Sequence, residues 1–289
     1  MNLYRDRFAG RAVFDTAVSH ALLRSVASGA TEESLRLYRP DNALLFSNLD
    51  ARRPGYDRAV ELARAAGYEP VIRLAGGHAA VFLETSMAFA WASADPNAPL
   101  HIRDRFERLA GWIVAALEHL GLDARIGEVP GEYCPGQHSV NIAGRVKVMG
   151  VGQRVIRGGA HVGGVLTVAQ SGQLREILVP IYEALELDFR PETAGGINDF
   201  DAALTPDDVI SALVEVLRAD APDARVVDEM DFDPSILRAA QDLVPLHAPE
   251  RRPGAGAALR PSRRVRGGKA LIQEGSPNQT PNGSNETDS

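Results

Sequence analysis

The chain has a single cysteine, Cys134, in 289 residues, so it cannot form an internal disulfide. No apolar run reaches the roughly 18 residues of a membrane-spanning helix, and the first ten residues lack the apolar core of a secretion signal. No group of His, Cys, Asp and Glu has the spacing of a metal motif. We therefore predict a protein with no metal site and no membrane association, located in the cytoplasm.

Lysine is also scarce. Only two of the 31 basic residues are lysines, namely Lys147 and Lys269. Arginine serves wherever a surface cation is enough. A lysine that persists against this bias can mark a position that needs a compact ammonium group rather than a planar guanidinium. Lys147 follows Cys134 by 13 residues. This proximity makes both residues candidates for catalysis, although a lone lysine on a strand can also be an ordinary surface residue.

The net charge of −7 is unevenly distributed. From Arg251 onward there are seven basic residues against three acidic ones, in a setting rich in Pro, Gly, Asn and Ser. Such a composition buries too little apolar surface to fold. We predict a catalytic domain in residues 1–247 and a basic, disordered tail in residues 248–289. The acidic domain argues against nucleic-acid binding, and the basic tail is interpreted as a solvated segment.

The apolar periodicity predicts helices interleaved with short strands, several of them joined as hairpins. Asp15 is predicted to cap the first helix, and Pro180 to kink or break a later one. The predicted strands are Leu35–Tyr38, Ala43–Phe46, Pro70–Leu74, Ala79–Leu83, Ala124–Glu128, Ser139–Ala143, Val146–Met149 and Gly163–Val168, the first two paired through a turn. The pattern favours an α/β fold of the α+β kind, with a mixed sheet flanked by helices.

Three segments contain residues suited to chemistry. In Arg73–Val81, two adjacent glycines between predicted strands allow a close approach of the backbone to a ligand, although a tight turn alone has the same appearance. In Glu132–Gly136, Pro and Gly directly after Cys134 place the thiol in a turn, where a reactive thiolate has access to substrate. In Lys147–Gly159, the alternating pattern predicts a strand that directs Lys147 into a cleft. The alternative for Cys134 is an inert buried thiol.

These segments resemble the biotin/lipoate ligase superfamily. Arg73, Gly76, Gly77 and Ala79 match its Gly-Gly motif, and Lys147 with Gly150 matches its lysine motif. The subgroup that the sequence resembles most is the octanoyl-[glycine-cleavage H protein]:protein octanoyltransferases. That resemblance is carried by Tyr133–Gly136, Ser139–Ile142, Lys147, Gly150, Gln153-Arg154 and Arg157–Gly159.

The resemblance implies a biotin/lipoate ligase-like catalytic domain in which Cys134 carries the acyl group as a thioester. Lys147 would lower the pKa of the thiol and stabilise the oxyanion. The residues expected to bind substrate are Arg73, Gly76, Gly77, His78, Ala79, Gly150 and Gln153, and an apolar tunnel is expected near Val81, Val148 and Val165. The expected partners are lipoyl-domain proteins, namely the glycine-cleavage H protein and the E2 subunits of 2-oxoacid dehydrogenases.

Two other functions fit the same residues. An ATP-dependent lipoate-protein ligase would use Lys147 and the Gly-Gly loop around a lipoyl-adenylate, with Cys134 as a bystander. ATP and Mg²⁺ would then be required, whereas the transferase needs no tightly bound cofactor. The other alternative is a non-catalytic protein that binds lipoyl domains.

Overall fold

The computed structural model describes residues 1–220, 227–229 and 231–250, and an eight-stranded sheet is its largest element. In spatial order its strands are β11 (Val227–Glu229), β1 (Asn2–Tyr4), β2 (Ser34–Tyr38), β6 (Ser86–Ala94), β10 (Gly159–Thr167), β9 (Val146–Ile156), β8 (Val140–Ile142) and β7 (Ala124–Ile126). β1 runs parallel to β11 and β2, and the other neighbouring pairs are antiparallel. The predicted mixed sheet is confirmed.

A second, three-stranded sheet contains β4 (Glu69–Ile72), β3 (Ala43–Phe46) and β5 (Ala80–Phe82). β3 is parallel to β4 and antiparallel to β5. The helices are α1 (Ala12–Ala27), α2 (Tyr56–Ala65), α3 (Ile102–His119), α4 (Ser171–Ala184), α5 (Pro206–Asp220) and α6 (Pro234–Leu243). None of the helices in the described ranges is both long and apolar enough to cross a bilayer.

The helices cover both faces of the large sheet and one face of the small sheet. α3 and α5 bury an apolar core that includes Leu109 and Leu213 against one face of the large sheet, and α1 and α6 pack on the other around Val18 and Ile236. α2 and α4 bury the small sheet, with Leu178 at 0% exposure. Burial of these apolar faces is the main stabilising contribution to such layers.

The longest hairpin was only partly predicted. β9 and β10 extend over Val146–Ile156 and Gly159–Thr167, beyond the predicted Val146–Met149 and Gly163–Val168. The glycines that had been interpreted as separators lie inside the strands, where Gly152 pairs with Gly163. β6 was not predicted at all, because its alanine-rich sequence shows no alternation of apolar and polar residues.

Three further local predictions were wrong. Asp15 lies inside the first turn of α1 rather than at its cap, because its carboxylate pairs with the buried Arg36 at 2.5 Å. β2 and β3 do not pair with each other but lie in different sheets. Pro180 does not break its helix, one of the two effects predicted for it, because the helix continues to Ala184.

The C-terminal end of the described body is bound to the small sheet and to α2. Ile72 N–H donates to the carbonyl oxygen of His247 at 2.9 Å, and the Tyr56 hydroxyl donates to the carbonyl oxygen of Pro249 at 2.9 Å. Glu250 pairs with Arg64 at 2.5 Å. Residues 248–250, assigned to the tail from composition, therefore contact the folded part. The remainder of the predicted disordered tail, residues 251–289, lies outside the described residues.

Candidate active site

Three segments that are distant in sequence meet at the thiol of Cys134. They are the loop between β4 and β5, the turn that follows β7, and the start of β9. The backbone N–H of His78 donates to Cys134 Sγ at 3.1 Å. A Cβ placed on Gly77 would lie 2.8 Å from the same sulfur, and Gly77 has a φ of +88°. Glycine is therefore required at this position both for space and for backbone conformation.

Cys134 itself has a left-handed backbone conformation, with a φ of +42°. This conformation is uncommon for a residue other than glycine and costs on the order of 1 kcal/mol, so the surrounding contacts must hold it in place. Lys147 supplies those contacts, because its Nζ donates to the carbonyl oxygens of Tyr133 at 2.9 Å and Cys134 at 2.7 Å. The turn and the lysine thus form one unit.

The ammonium of Lys147 is almost entirely buried, with 1% of the residue exposed. Its third contact is Glu132 Oε1 at 2.8 Å, and Glu132 is buried as well. The Glu132 carboxylate also accepts from Ser139 Oγ at 2.6 Å and from Val129 N–H at 2.8 Å. All three Nζ donors are therefore used by the turn. The expectation that Lys147 directs its ammonium towards an oxyanion does not fit this geometry.

The pKa of the Cys134 thiol lies below its ordinary value. Burial alone would raise this pKa, but the positive charge of Arg73, then that of Lys147, and the hydrogen bond from His78 N–H outweigh it. Arg73 Nη2 lies 3.8 Å from Sγ and also donates to the carbonyl oxygens of Gly76 at 2.6 Å and His78 at 2.7 Å. Arg73, expected only as a substrate-binding residue, thus lies beside the thiol and lowers its pKa.

Asp50 fixes the loop that approaches the thiol. Its Oδ1 lies 3.0 Å from His78 Nδ1, and its Oδ2 accepts from Ser47 N–H at 2.8 Å and Ser47 Oγ at 3.0 Å. Asp50 is fully buried. The His78 side chain is thereby anchored away from the sulfur, while its backbone N–H points at it.

A cavity with an empty volume of about 680 Å³, open solvent included, is lined by Cys134 and by residues of both sheets. Val165 lines it, as expected for an acyl tunnel, whereas Val81 and Val148 are buried in two other apolar cores. The other lining residues include Leu45, Ala75, Phe82, Gly150, Gly152 and Gly163. Small and apolar residues therefore form most of the walls, as an alkyl chain requires.

The remaining residues expected to bind substrate have different locations. Gly150 lines the cavity. Gln153 lines an adjacent open groove, but its side-chain amide is bound to Arg105 Nε at 2.7 Å and to the carbonyl oxygen of Ile102 at 3.1 Å, so it holds α3 against β9. Ala79 is buried in the core beside the small sheet, and its carbonyl oxygen accepts from the Tyr182 hydroxyl at 3.0 Å.

Sequence reasoning did not identify Glu132 or Asp50. Both are acidic residues in a chain that has 38 of them, and nothing in their spacing distinguishes them from surface acids. Their roles depend on burial, which the sequence does not reveal. The one available signal was that Glu132, directly before Tyr133, is a charged residue in an otherwise apolar turn.

Comparisons with known proteins show which proteins have a similar sequence. The chain is 30% identical over 168 residues to an octanoyl-[GcvH]:protein N-octanoyltransferase of Geobacillus kaustophilus, which covers 58% of this chain and 59% of that protein. It is 28% identical over 205 residues to the protein of the same name from Bacillus velezensis, covering 71% and 69%. The match thus spans less than two thirds of the Geobacillus protein.

Solved structures share the fold. A bipartite lipoate protein ligase of Thermoplasma acidophilum, studied with its E2 lipoyl domain, superposes with a TM-score of 0.64 at 19% identity, covering 84% of this chain and 91% of that one. A lipoate-protein ligase A bound with ATP superposes with a TM-score of 0.67 at 19% identity, covering 84% and 94%. The model of the lipoyl protein ligase A/B catalytic domain matches residues 11–218. The resemblance found in the sequence is therefore confirmed, and the chain belongs to the lipoyl protein ligase A/B catalytic domain family.

Proposed function

We propose that this chain transfers an octanoyl or lipoyl group to a lysine of lipoyl-domain proteins through a thioester on Cys134. The observation that carries the proposal is the position of Cys134, which lines both the apolar cavity and the adjacent groove, with Sγ 3.1 Å from the His78 nitrogen and 3.8 Å from Arg73 Nη2. A thiol with a lowered pKa at such a place is suited to nucleophilic attack on an acyl group. The names of the relatives support the same activity.

The reaction needs two acyl transfers. First, the thiolate of Cys134 forms a bond to the acyl carbonyl carbon, the bond between that carbon and the donor breaks, and the donor atom takes up a proton. Second, the neutral amine of the acceptor lysine attacks the thioester and forms the carbon–nitrogen bond. The carbon–sulfur bond breaks, the amide nitrogen releases one proton to solvent, and the thiolate is regenerated. The carbonyl oxygen becomes negative in both steps, and the positive charge of Arg73, 3.8 Å from Sγ, favours that charge.

In this account Lys147 acts on the turn rather than on the acyl group. It neutralises Glu132, holds the left-handed backbone of Cys134 and adds positive charge near the sulfur. A planar guanidinium cannot replace it easily, because the ammonium occupies a closed site between one carboxylate and two carbonyl oxygens. This explains why lysine persists here in an arginine-rich chain.

The partners follow from the same proposal. The relatives are named for the glycine-cleavage H protein, which is the first candidate for the donor, and E2 subunits are candidates for the acceptor. We propose no tightly bound cofactor and a cytoplasmic location.

An ATP-dependent ligase is the second candidate. The open groove that adjoins Cys134 favours it, because a groove lined by Gly76, Gly77, Gln153 and Arg154 offers backbone amides and positive charge beside the acyl site. In that reaction an acyl-adenylate supplies the acyl group and Cys134 has no covalent role. ATP and Mg²⁺ are then required.

Cys134→Ser separates the two. With octanoylated H protein as the donor, the variant should lose nearly all transfer to an acceptor lipoyl domain. If the chain is a transferase, neither the wild-type chain nor Cys134→Ser should lipoylate an acceptor when lipoate and ATP are supplied. Retention of ATP-dependent lipoylation by Cys134→Ser would favour the ligase. Ser28→Ala, an exposed position after α1, serves as the control.

A further inference from the structure

The last residue of β4 has its outward backbone groups covered by His247. β4 is an edge strand of the three-stranded sheet, and its Ile72 lies opposite Phe46 of β3. On the other side, Ile72 N–H donates to the carbonyl oxygen of His247 at 2.9 Å. The Ile72 carbonyl oxygen accepts from His247 Nδ1 at 2.7 Å. One residue thus takes the place of a neighbouring strand, since its backbone and its side chain each make one bond to the edge.

The bond from the His247 side chain is buried and has a defined direction. A carbonyl oxygen only accepts, so Nδ1 of His247 carries a hydrogen. Nε2 of the same ring lies 3.0 Å from Nδ1 of His20 on α1, and this second contact fixes the orientation of the ring. His247 is only 3% exposed, so water does not compete for the bond to Ile72.

Ile72 is followed directly by Arg73, whose positive charge lowers the pKa of the Cys134 thiol. β4 ends at Ile72, and the chain then enters the loop that reaches Sγ. Arg73 Nη2 donates to the carbonyl oxygens of Gly76 and His78 in this same loop, and its buried Nε has no partner among the residues that the structure describes. These bonds set the internal shape of the loop, whereas the end of β4 sets where Arg73 leaves the sheet.

Two other contacts hold this region from different directions. Arg73 N–H donates to the carbonyl oxygen of Phe46 at 2.8 Å, which fixes β4 from the side of β3. Asp50 lies 3.0 Å from the imidazole of His78, which fixes the far part of the loop. His247 adds the contact from the outer edge of β4, directly before Arg73. Its loss would leave the end of an edge strand held from one side.

We propose that His247 is a positioning residue, which holds the end of β4 and thereby keeps the guanidinium of Arg73 beside the thiol of Cys134. His247 lines neither the cavity nor the groove at Cys134, so it acts through Arg73. It also lies beyond residues 11–218, which match the family model. The inference rests on the proposed function for its effect on acyl transfer, whereas the position of Arg73 is measured on the thiol itself.

Two variants of similar size isolate the bond to Ile72. His247→Asn keeps a nitrogen donor at the position of Nδ1, whereas His247→Leu has a carbon there, and both lose the contact with His20. Alkylation of Cys134 by iodoacetamide is measured against pH in the full chain. At pH 6 His247→Leu should react at least about threefold more slowly than the wild-type chain, because one unit of thiol pKa changes the thiolate fraction about tenfold.

His247→Asn should react at pH 6 within about twofold of the wild-type rate, since a bond to Ile72 remains possible. At high pH, where the thiol is fully ionised, all three proteins should react at one rate. His119→Leu, exposed on α3, is the matched control and should follow the wild-type profile. Should His247→Leu fail to fold, His247→Val, which is smaller and also lacks a donor, takes its place.

Combination with Arg73→Met shows whether His247 acts through Arg73. In that background His247→Leu should slow alkylation no further, because the group that it positions is gone. A further slowing of equal size would overturn the inference. So would a wild-type profile in His247→Leu, a profile of His247→Asn as slow as that of His247→Leu, or faster alkylation at every pH, which would indicate an opened structure.

Transfer to a lipoyl domain is measured on the same samples. Transfer by the wild-type chain together with an unchanged alkylation profile in His247→Leu removes only the inference. A shifted profile in His247→Leu, in a chain that transfers no acyl group, removes only the proposed function.

Discussion

The ammonium of Lys147 donates to the carbonyl oxygen of Cys134 at 2.7 Å, so the lysine holds the backbone of the residue that bears the thiol. The same ammonium is 2.8 Å from the buried carboxylate of Glu132. Removing either charge leaves the other buried without an opposite charge, which typically costs about 3–5 kcal/mol. The site therefore couples the stability of the turn to the conformation of the thiol.

Lys147→Met should lower both stability and activity. The free energy of unfolding should fall by about 3–5 kcal/mol, because Glu132 becomes an unpaired buried charge. Lys147→Met combined with Glu132→Gln should recover part of that stability but little activity, since neither side chain then holds the turn. Urea denaturation and acyl-transfer rates provide the two readouts. The control is Lys269→Met, and an equally stable Lys147→Met would contradict the account.

Arg73→Met should raise the pKa of the Cys134 thiol. Arg73 favours the thiolate, so its removal reduces the thiolate fraction at a given pH and moves the rising limb of the rate profile to higher pH. Alkylation of the thiol by iodoacetamide as a function of pH measures this directly. Arg58→Met, on the exposed face of α2, is the matched control. A variant with an unchanged alkylation profile would exclude Arg73 as the activating residue.

Asp50→Asn should also raise the pKa of the Cys134 thiol, but by less than Arg73→Met. The variant loosens the anchor of His78, whose N–H donates to Sγ, so the thiol pKa should rise without any change in charge next to the sulfur. The rate at low pH should fall more than the rate at high pH. Asp104→Asn, exposed on α3, controls for the loss of a negative charge. A uniform fall in rate at all pH values would indicate a structural role only.

Acid should destabilise the fold through its buried histidines. The pKa of His161 is lowered to about 4 and that of His20 to about 3, chiefly by burial, so both are neutral in the folded state. A histidine of the unfolded chain titrates near 6.5, so below this pH the unfolded state takes up protons that the folded state does not. The free energy of unfolding therefore keeps its full value above pH 6.5 and decreases as the pH falls towards 4. At pH 5 His161 alone should lower the free energy of unfolding by about 2 kcal/mol relative to pH 8.

Urea denaturation at pH 8, 6.5 and 5 checks this pH dependence. The free energy of unfolding should decline over that range, and His161→Phe should decline less steeply than the wild-type chain. His119→Phe, exposed at the protein surface, should follow the wild-type slope. Identical slopes for all three proteins would show that His161 is not neutral in the fold.

The sequence indicated the parts of the site whose residue types are rare or conformationally constrained. Cys134 and Lys147 stood out because cysteine and lysine are scarce, and the Gly76-Gly77 pair because two adjacent glycines interrupt an apolar pattern. Glu132 and Asp50 could not be identified, since their roles arise from burial.

The same distinction applies to the fold. The predicted helices with a clear apolar stripe were found, as in α3 and α5, which bury Leu109 and Leu213. β6 and the extended parts of β9 and β10 were missed because alanine and glycine have weak strand propensity. Those small residues are present for a tertiary reason, which is that they leave room for the cavity.

The central claim is that Cys134 carries the acyl group. Intact-mass spectrometry of the chain after incubation with octanoylated H protein, without acceptor, tests it most directly. The account predicts an added octanoyl mass that maps to the peptide containing Cys134, is released by neutral hydroxylamine, and is absent from Cys134→Ser. Acyl transfer to a lipoyl domain at the wild-type rate by Cys134→Ser, or transfer by the wild-type chain with no such adduct in a time course, would contradict it.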